Sequence, residues 1–412
     1  MQTQLADFIK DTEAGREADA ILRNCVHCGF CTATCPTYQL LGDELDGPRG
    51  RIYLMKQMLE GQPVTEKTRL HLDRCLTCRA CETTCPSGVA YGRLVDLGRV
   101  IVEQKVPRTG ADRAVRWLLR EFVPRPRLFG AAMAMGRLAR PLLPKVLADK
   151  VPVATPAGRW PEARHARKML SLAGCAQPAM APSINAATAR VLDAVGISLV
   201  QLGGTGCCGA VRHHLNDHVG GKDDARRNID TWWPMIEAGE IEAIVMTASG
   251  CGVQVKDYGY FLADDAAYAA KAARVSELTR DVAEVVAGEL DALRARLPAP
   301  PAALTPLAFH APCTLQHGLK IKGKVEAIMA AAGYAPTPVK DAHLCCGSAG
   351  TYSLLQPELS KTLRDNKLAA LEAGGAGCIA SANIGCITHL QSGTETPVRH
   401  WVELVDARLI AG

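Results

Sequence analysis

The chain has 412 residues and a mass of 43.9 kDa, more than one hydrophobic core usually holds, so we expect several domains. Its seventeen cysteines are an odd number in a chain far larger than disulfide-stapled secreted domains, which excludes that class and favours metal binding. The net charge of +5 is unevenly spread, because the segment from Arg99 to Met169 contains sixteen Lys or Arg against five Asp or Glu.

The N-terminal residues have neither the basic region nor the apolar core of a signal peptide. Proline or glycine interrupts the longest uncharged runs, residues 169–189 and 195–211, so no transmembrane helix is expected. We therefore expect a cytoplasmic protein that associates with a membrane only peripherally.

Two cysteine runs of the form C-x2-C-x2-C-x3-C-P follow, fifty residues apart. This is the spacing of bacterial ferredoxins, in which three cysteines hold one [4Fe-4S] cluster and the fourth holds its neighbour. Soft thiolates favour iron–sulfur clusters or zinc, but zinc sites pair their cysteines two and two, which disfavours two structural zinc sites. The runs therefore predict two [4Fe-4S] clusters, one held by Cys25, Cys28, Cys31 and Cys85 and the other by Cys75, Cys78, Cys81 and Cys35.

The residues between the two runs have helical periodicity. Residues 48–60 place Ile52, Met55 and Leu59 on one stripe, and residues 66–76 have a similar pattern. Helices in this position predict an α-helical ferredoxin domain over residues 1–108.

A basic segment, residues 109–165, comes next. Residues 111–122 alternate arginine with apolar side chains, residues 128–143 form a weaker amphipathic helix, and residues 151–158 are typical of a linker. The segment is either a solvated connector or a docking surface for anionic lipid headgroups or an acidic partner. The arginines of the predicted docking surface are Arg113, Arg116, Arg120, Arg137 and Arg140.

The remaining cysteines form a second repeat of a different kind. A single cysteine is followed, after 31 residues, by a Cys-Cys-Gly triplet and later by a fourth cysteine. The array recurs 138 residues downstream, with its last cysteine three residues short of strict register. Only Cys378 lies outside both repeats, and we expect it to be a small buried hydrophobic residue. The first set is Cys175, Cys207, Cys208 and Cys251, and the second set is Cys313, Cys345, Cys346 and Cys386.

Strand-like and helical segments alternate around both sets, as in α/β domains. The cysteines follow predicted strands, and open α/β sheets bind their ligands at the carboxyl ends of strands. We therefore predict an α+β multidomain fold, an α-helical ferredoxin domain followed by two α/β Cys-Cys-Gly domains, at residues 166–296 and 297–412. A pseudo-twofold pairing of the two would bring their sites into one interface.

At these residues the chain resembles a known family. Tandem ferredoxin runs followed by two Cys-Cys-Gly domains are similar to the iron–sulfur subunits of flavin-linked hydroxy-acid dehydrogenases. Within this group, three stretches resemble the bacterial glycolate oxidase iron–sulfur subunits, and the resemblance covers essentially the whole length. These stretches are GDELDGPRGR at residues 42–51, HLDRCLTC at residues 71–78 and CCGSAGTY at residues 345–352.

The resemblance implies a complex in which separate FAD-binding glycolate oxidase subunits oxidise glycolate to glyoxylate. This chain would pass the electrons to a membrane acceptor such as quinone, from a peripheral position on the cytoplasmic face of the inner membrane. The residues agree with that division, since no acid–base constellation for hydride removal is present. The glycines at residues 203, 204 and 206 are better explained as backbone that approaches a cluster or bends sharply than as a phosphate loop. We therefore predict no catalytic residue and no FAD on this chain.

The chain departs from the wider family at two positions. There the Cys-Cys-Gly domain ends in a C-x2-C pair, which in heterodisulfide reductase helps to hold a non-cubane cluster. Here Ala248 and Asn383 replace the first cysteine of that pair. Four cysteines remain in each set, enough for a third or fourth [4Fe-4S] cluster, whereas a non-cubane cluster is disfavoured. Of the two sets, the sequence favours the second as the binding site of a further cluster.

Three alternative functions stay open to different degrees. The first is the equivalent subunit of a D-lactate or glycerol-3-phosphate dehydrogenase. Such a complex differs only in the substrate it oxidises, and its flavin subunit, not this chain, would select that substrate. A catalytic subunit like that of heterodisulfide reductase is disfavoured by the two missing cysteines. A zinc-stabilised nucleic-acid binder has only the basic charge in its favour, so no nucleic-acid partner is expected.

Overall fold

The computed structural model describes residues 1–142, 155–301 and 303–410. These residues form two compact units, each of two chain segments. The first unit contains Met1–Arg116 and His343–Lys367, and the second contains Trp117–Ala342 and Leu368–Gly412.

The N-terminal region is helical, as predicted. Its first helix begins after Thr12, whose side chain accepts a hydrogen bond from the Gly15 amide and so caps the helix. Proline occupies the first turn of three later helices, where its missing N–H would have no partner. The α-helices of residues 1–142 are Glu13–Asn24, Pro36–Leu41, Pro48–Leu59, Glu66–Asp73, Ala80–Thr84, Tyr91–Lys105, Gly110–Phe122 and Pro126–Ala139.

The core of the first unit contains the stripe that the sequence predicted. Ile52, Met55 and Leu59 are all buried, and they pack with the helix Tyr91–Lys105. Gly98 permits this contact, because a Cβ atom there would lie 2.5 Å from the sulfur of Met55. The first cysteine run follows the helix Glu13–Asn24 and the second follows the helix Glu66–Asp73, and both of these helices also pack on Tyr91–Lys105.

The second unit contains two four-stranded parallel sheets of the same topology. Their strand orders are β2-β1-β3-β4 and β6-β5-β7-β8. In parallel sheets all carboxyl ends lie at one edge, so the loops that follow the strands converge there. The strands are β1 (Arg167–Ser171), β2 (Ile197–Val200), β3 (Ala243–Met246), β4 (Thr279–Asp281), β5 (Thr305–His310), β6 (Tyr334–Thr337), β7 (Cys378–Ser381) and β8 (Val398–His400).

Helices connect the strands of each sheet. The α-helices after residue 155 are Gln177–Met180, Ser183–Ala194, Ala210–His214, His218–Glu237, Ser249–Lys256, Tyr258–Phe261, Ala269–Leu278, Val282–Gly288, Leu290–Arg294, Lys324–Ala331, Tyr352–Leu355, Pro357–Glu372, Ile384–Gln391 and Trp401–Ile410. The predicted α+β multidomain fold is confirmed by the helical N-terminal region and the two parallel sheets.

The two α/β copies pack reciprocally. The helix Ser183–Ala194 of the first copy contacts Trp401–Ile410 of the second, and Lys324–Ala331 of the second contacts Val282–Gly288 of the first. In each pair, a helix after the first strand of one copy meets a helix after the last strand of the other. Arg190 and Asp406 form an ion pair of 2.6 Å within the first contact. This exchange of equivalent helices is the pairing of copies that the repeat predicted.

The compact units divide the chain differently from the predicted domains. Residues His343–Lys367 belong to the first compact unit, although they lie inside the stretch predicted as the second Cys-Cys-Gly domain. Within the predicted basic linker, residues 143–154 lie outside the described residues. The domain limits at residues 108, 165 and 296 therefore stay predictions.

Candidate iron–sulfur centres

The two ferredoxin runs share one backbone conformation. The third and fifth positions of the first run, His27 and Gly29, have φ angles of 56° and 85°. The equivalent residues of the second run, Thr77 and Arg79, have φ angles of 51° and 60°. Left-handed backbone costs energy for residues other than glycine, so its recurrence at the same positions indicates a required shape. These turns wrap each run around one centre.

The first centre is a pocket at the surface of the first unit. Cys25, Cys28 and Cys31 line it together with Cys85, which comes from the other run. Cys81 also borders the pocket, whose empty space is about 440 Å³ and partly open to solvent. The other lining residues are mostly apolar, so a group bound there would have sulfur ligands and little water around it. Cys28 is the exposed member of the set.

The second centre lies around Cys81, which is buried. Burial raises the pKa of the Cys81 thiol well above its usual value, and the neighbouring Cys78, Cys75 and Cys35 raise it further. Cys35, from the first run, is therefore an electrostatic neighbour of Cys81, in the second run. Each centre thus has a cysteine from the opposite run beside it, and the assignment of four particular cysteines to each cluster stays a prediction.

The electrostatics of both centres favour a bound cation. Burial raises the pKa of the Cys31 thiol to about 11, and the nearby Cys25 and Cys28 raise it too. Burial and neighbouring thiolates both disfavour the charged form, so without a metal the Cys31 and Cys81 thiols stay protonated. Cationic iron reverses that preference, because a coordinating thiol is deprotonated. Four soft sulfur donors per centre fit a [4Fe-4S] cluster.

The first Cys-Cys-Gly set is assembled at the carboxyl edge of the first sheet. Cys175 follows β1, Cys207 and Cys208 follow β2, and Cys251 lies in the first turn of the helix after β3. Hydrogen bonds from Cys175 and from Cys208 to Cys207 lower the pKa of the Cys207 thiol well below its usual range. Cys251 in turn contacts Cys208 through its side chain. All four sulfur atoms are therefore joined in one group.

The glycine of the triplet is required by the turn that follows the cysteine pair. Gly209 has a φ angle of 91°, and a Cβ atom there would lie 2.7 Å from the carbonyl oxygen of Gly221. In the second copy Gly347 has a φ angle of 86°, with the Ser360 oxygen 2.6 Å from a Cβ position. In both copies this glycine amide donates a hydrogen bond of 3.4 Å to the first sulfur of the pair.

The first set also has charged neighbours. Arg227 donates a hydrogen bond to the backbone oxygen of Cys207 and forms a 2.8 Å ion pair with Asp224. Burial raises the pKa of the Asp224 carboxyl to about 6, and the charge of Cys207 adds to the effect. Tyr258, also buried, donates a hydrogen bond of 2.9 Å to the Cys208 oxygen. The set is thus a buried polar site within an otherwise apolar core.

The second set is distributed over both compact units. Cys345 and Cys346 are buried in the first unit, whereas Cys313 and Cys386 belong to the second unit. Asn383, which replaces a cysteine, donates a hydrogen bond of 3.5 Å to the sulfur of Cys386. Cys378, outside both repeats, is only partly buried, at the start of β7.

Sequence reasoning missed one polar network near the second centre. Arg51 and Asp46 are buried and ion-paired, with Thr37, His71 and Arg74 as further partners. Both residues lie in the stretch GDELDGPRGR, whose family resemblance was the available signal. Charged residues are usually exposed, so the burial of Arg51 and Asp46 could not be predicted from the pattern.

Family comparisons agree with this geometry. Residues 21–89 match the family described as 4Fe-4S dicluster domain, and residues 169–256 and 307–391 match the family described as Cysteine-rich domain. Together with the two crossed cysteine groups and the Cys-Cys-Gly turns, they define an iron–sulfur protein with a ferredoxin-type domain and two repeated cysteine-rich domains.

Curated relatives narrow the class to a family. The glycolate oxidase iron–sulfur subunit of Escherichia coli (strain K12) is 56% identical over 411 residues, which is 99% of each chain. The probable glycolate oxidase iron–sulfur subunit of Bacillus subtilis (strain 168) is 30% identical over 404 residues, covering 91% of this chain and 89% of that protein. The chain therefore belongs to the family of glycolate oxidase iron–sulfur subunits, as the resemblance predicted.

A more distant group of relatives shares part of the chain. Lactate utilization protein A of Exiguobacterium sp. (strain ATCC BAA-1283 / AT1b) is 25% identical over 242 residues, 56% of this chain and 94% of that protein. Among the described residues, no helix has both the length and the apolar character needed to cross a membrane.

Proposed function

We propose that this chain is the electron-transfer subunit of a glycolate-oxidising complex. It receives electrons from FAD-binding partner subunits that convert glycolate to glyoxylate, and it delivers them to a membrane acceptor such as quinone. The observation that carries the proposal is the pair of crossed four-cysteine groups in a member of the glycolate oxidase iron–sulfur subunit family.

The ferredoxin domain holds two [4Fe-4S] clusters in this proposal. Cys25, Cys28, Cys31 and Cys85 bind one, and Cys75, Cys78, Cys81 and Cys35 bind the other. When bound, such clusters take up and release single electrons. The chain supplies the sulfur ligands, the apolar walls that limit water, and the exposed Cys28 edge at which a redox partner comes near the first centre.

The first Cys-Cys-Gly set is the stronger candidate for a third cluster. The four sulfur atoms of Cys175, Cys207, Cys208 and Cys251 already form one contacting group, and cubane clusters need four thiolates. The sequence favours the second set instead, but the contacts among the four sulfur atoms of the first set give stronger support for a cluster there.

The deciding experiment is anaerobic purification of the whole complex, followed by iron, flavin and subunit analysis. Electron flow to a water-soluble quinone is then measured with glycolate, D-lactate and glycerol 3-phosphate. We expect glycolate to be oxidised much faster than the other two. Preference for D-lactate would move the chain to the runner-up function, which the similarity to lactate utilization protein A supports. Absence of iron from the chain would refute electron transfer altogether.

We further propose that residues 126–142 bind the complex to a membrane surface. Leu128, Met135, Leu138 and Leu142 follow one another at helical spacing, and all four are exposed, Leu138 by 83% and Leu142 by 89%. Arg127 is exposed beside this apolar stripe. An apolar face flanked by basic side chains is typical of helices that lie in the plane of an anionic membrane.

The structure changes which arginines are available for such binding. Among the predicted docking arginines, Arg116 pairs with Asp112, Arg120 pairs with Glu121, and Arg137 donates a hydrogen bond to the Ala179 oxygen. The apolar stripe must therefore supply most of the affinity for the membrane, and the basic charge must add to it.

Flotation of the purified complex with phospholipid vesicles tests this surface. Replacing Met135 and Leu138 with Ser should abolish flotation with vesicles that contain phosphatidylglycerol, while glycolate oxidation with a soluble dye persists. Val219, which is 72% exposed in a different helix, provides the matched control as Val219→Ser. Equal flotation of all three proteins would leave the segment as a connector.

A further inference from the structure

A buried arginine lies beside the second centre. Arg51 is 1% exposed, and its guanidinium donates to the backbone oxygen of His71 at 2.7 Å and to the Thr37 hydroxyl at 3.2 Å. It also contacts the carboxylate of Asp46, which is fully buried, at 3.3 Å. Burying a guanidinium costs several kcal/mol of desolvation, so a residue held here has strong compensating contacts.

The charges around this centre do not cancel. Asp46 contributes one negative charge, but Arg74 also binds it, at 2.8 Å. Arg99 adds a third guanidinium, which donates to the backbone oxygen of Cys75 at 2.6 Å. One carboxylate against three guanidinium groups leaves net positive charge, and the other carboxylate near Cys81, that of Glu82, is paired with Arg79 at 2.8 Å. Arg51 also has Cys75 and Cys35 as electrostatic partners, and their charges keep its pKa raised although burial opposes it.

Arg51 also acts on Cys35 through a hydroxyl group. The Thr37 oxygen lies 3.3 Å from the Cys35 sulfur and 2.8 Å from the backbone oxygen of Asp46. Its single proton can go to either acceptor. When Cys35 is a metal ligand it has no S–H, so the hydroxyl proton is the one that can bridge the oxygen and the sulfur. The two N–H groups of Arg51 on the same oxygen polarise this O–H group.

We propose that Arg51 raises the reduction potential of the cluster held by Cys75, Cys78, Cys81 and Cys35. Reduction adds one negative charge to the centre, and a fixed cation in a dry site stabilises that charge. Hydrogen bonds to cluster sulfurs act in the same direction. Besides Thr37, Tyr91 supplies one, since its buried hydroxyl donates to the Cys75 sulfur at 3.6 Å. This inference rests on the cluster assignment of the proposed function.

The experiment is a redox titration of the purified complex, followed by electron paramagnetic resonance so that the two ferredoxin clusters are observed separately. Arg51→Gln should lower the potential of the second cluster by at least about 59 mV, a tenfold change in its reduction equilibrium for one electron. Arg51→Lys keeps the charge and should restore most of that loss. Asp46→Asn removes the opposing negative charge and should shift the same cluster upward.

The opposite signs of the two potential shifts distinguish an electrostatic role from a structural one. If Arg51 and Asp46 only stabilised the fold, Arg51→Gln and Asp46→Asn would shift the potential of the second cluster in the same direction. Arg49→Gln is the matched control, since Arg49 is partly exposed and already paired with Glu44 at 2.6 Å. It should leave the second cluster unchanged. If Arg51→Gln does not fold, Thr37→Val tests the same path with a smaller downward shift.

Failure of this inference differs from failure of the proposed function. Intact clusters with unshifted potentials in Arg51→Gln and Asp46→Asn would overturn the role of Arg51 and leave electron transfer in place. A wild-type chain without two ferredoxin-type signals would instead refute the cluster assignment.

Discussion

The ferredoxin runs and the first Cys-Cys-Gly set gather four thiols in two different ways. In each run three cysteines lie within seven residues, and left-handed turns at equivalent positions bring them together. The first Cys-Cys-Gly set takes its members from the ends of three strands, spread over 77 residues from Cys175 to Cys251. Local spacing therefore shapes the first kind of centre, whereas the second kind depends on a folded sheet.

The largest expected effect is the loss of a whole cluster when Cys85, the ligand predicted to come from the other run, is replaced. This variant tests whether each run binds a cluster with its own four cysteines. Cys85→Ser should remove the cluster of Cys25, Cys28 and Cys31, because Cys85 lines their pocket. The iron content of the purified complex should fall by about four atoms. Loss of the signal of the other cluster alone would show that each run keeps its own fourth cysteine.

The next test concerns the set that depends on the sheet. The double variant Cys207→Ser, Cys208→Ser removes the central sulfurs of that set, so iron should fall from about twelve atoms to about eight. The ferredoxin signals should persist, because their ligands come from other residues. Cys378→Ser, which changes the cysteine outside both repeats, should keep all the iron. Full iron content in the double variant would make the first set a group of free thiols.

A glycine substitution that changes no cysteine should destabilise one kind of centre more than the other. Gly209→Ala introduces left-handed strain and a contact with the Gly221 oxygen, so we expect a loss of about 2–5 kcal/mol of stability. Gly88→Ala, near Cys85, has a similar φ angle of 64° but no atom within 4 Å of a Cβ, and should lose about 1–2 kcal/mol.

Thermal unfolding measures the difference in stability between the two glycine variants, and iron analysis shows which centre loses its cluster. Gly209→Ala should lose the iron of the first Cys-Cys-Gly set first. Equal destabilisation by both substitutions would mean that the close backbone approach at Gly209 is unimportant.

The last test concerns a pH dependence of stability in the sheet that carries the first set. Burial raises the pKa of Asp281 on β4 to about 7, while in the unfolded chain it is about 4. The folded state therefore binds this proton more tightly, and the stabilising effect of the protonated form is lost as pH rises from about 4 through about 7. Asp281→Asn should remove that dependence, because the amide oxygen can still accept the hydrogen bond from the Ala283 amide.

Urea unfolding at several pH values, followed by the fluorescence of the buried Trp232 and Trp401, measures this effect. The variant should become more stable than the wild type as pH rises, by up to about 4 kcal/mol above pH 7. Parallel pH profiles for the two proteins would show that Asp281 is ionised in the folded state.

Periodicity and spacing in the sequence were sufficient for the features that arise within a few residues. The C-x2-C-x2-C-x3-C-P spacing predicts which thiols share a centre, and the stripe of Ile52, Met55 and Leu59 predicted the buried helix face. The repeat of the Cys-Cys-Gly sets likewise predicted two related α/β copies, because a strand-end cysteine is visible beside its apolar strand.

Tertiary structure alone decided what depends on residues far apart in the chain. It joined Cys175, Cys207, Cys208 and Cys251 through the parallel order β2-β1-β3, which sequence patterns cannot distinguish from other orders. It also buried Arg51 against Asp46, because the free energy of a charge depends on the groups that surround it in space. Neighbours along the chain do not contain that information.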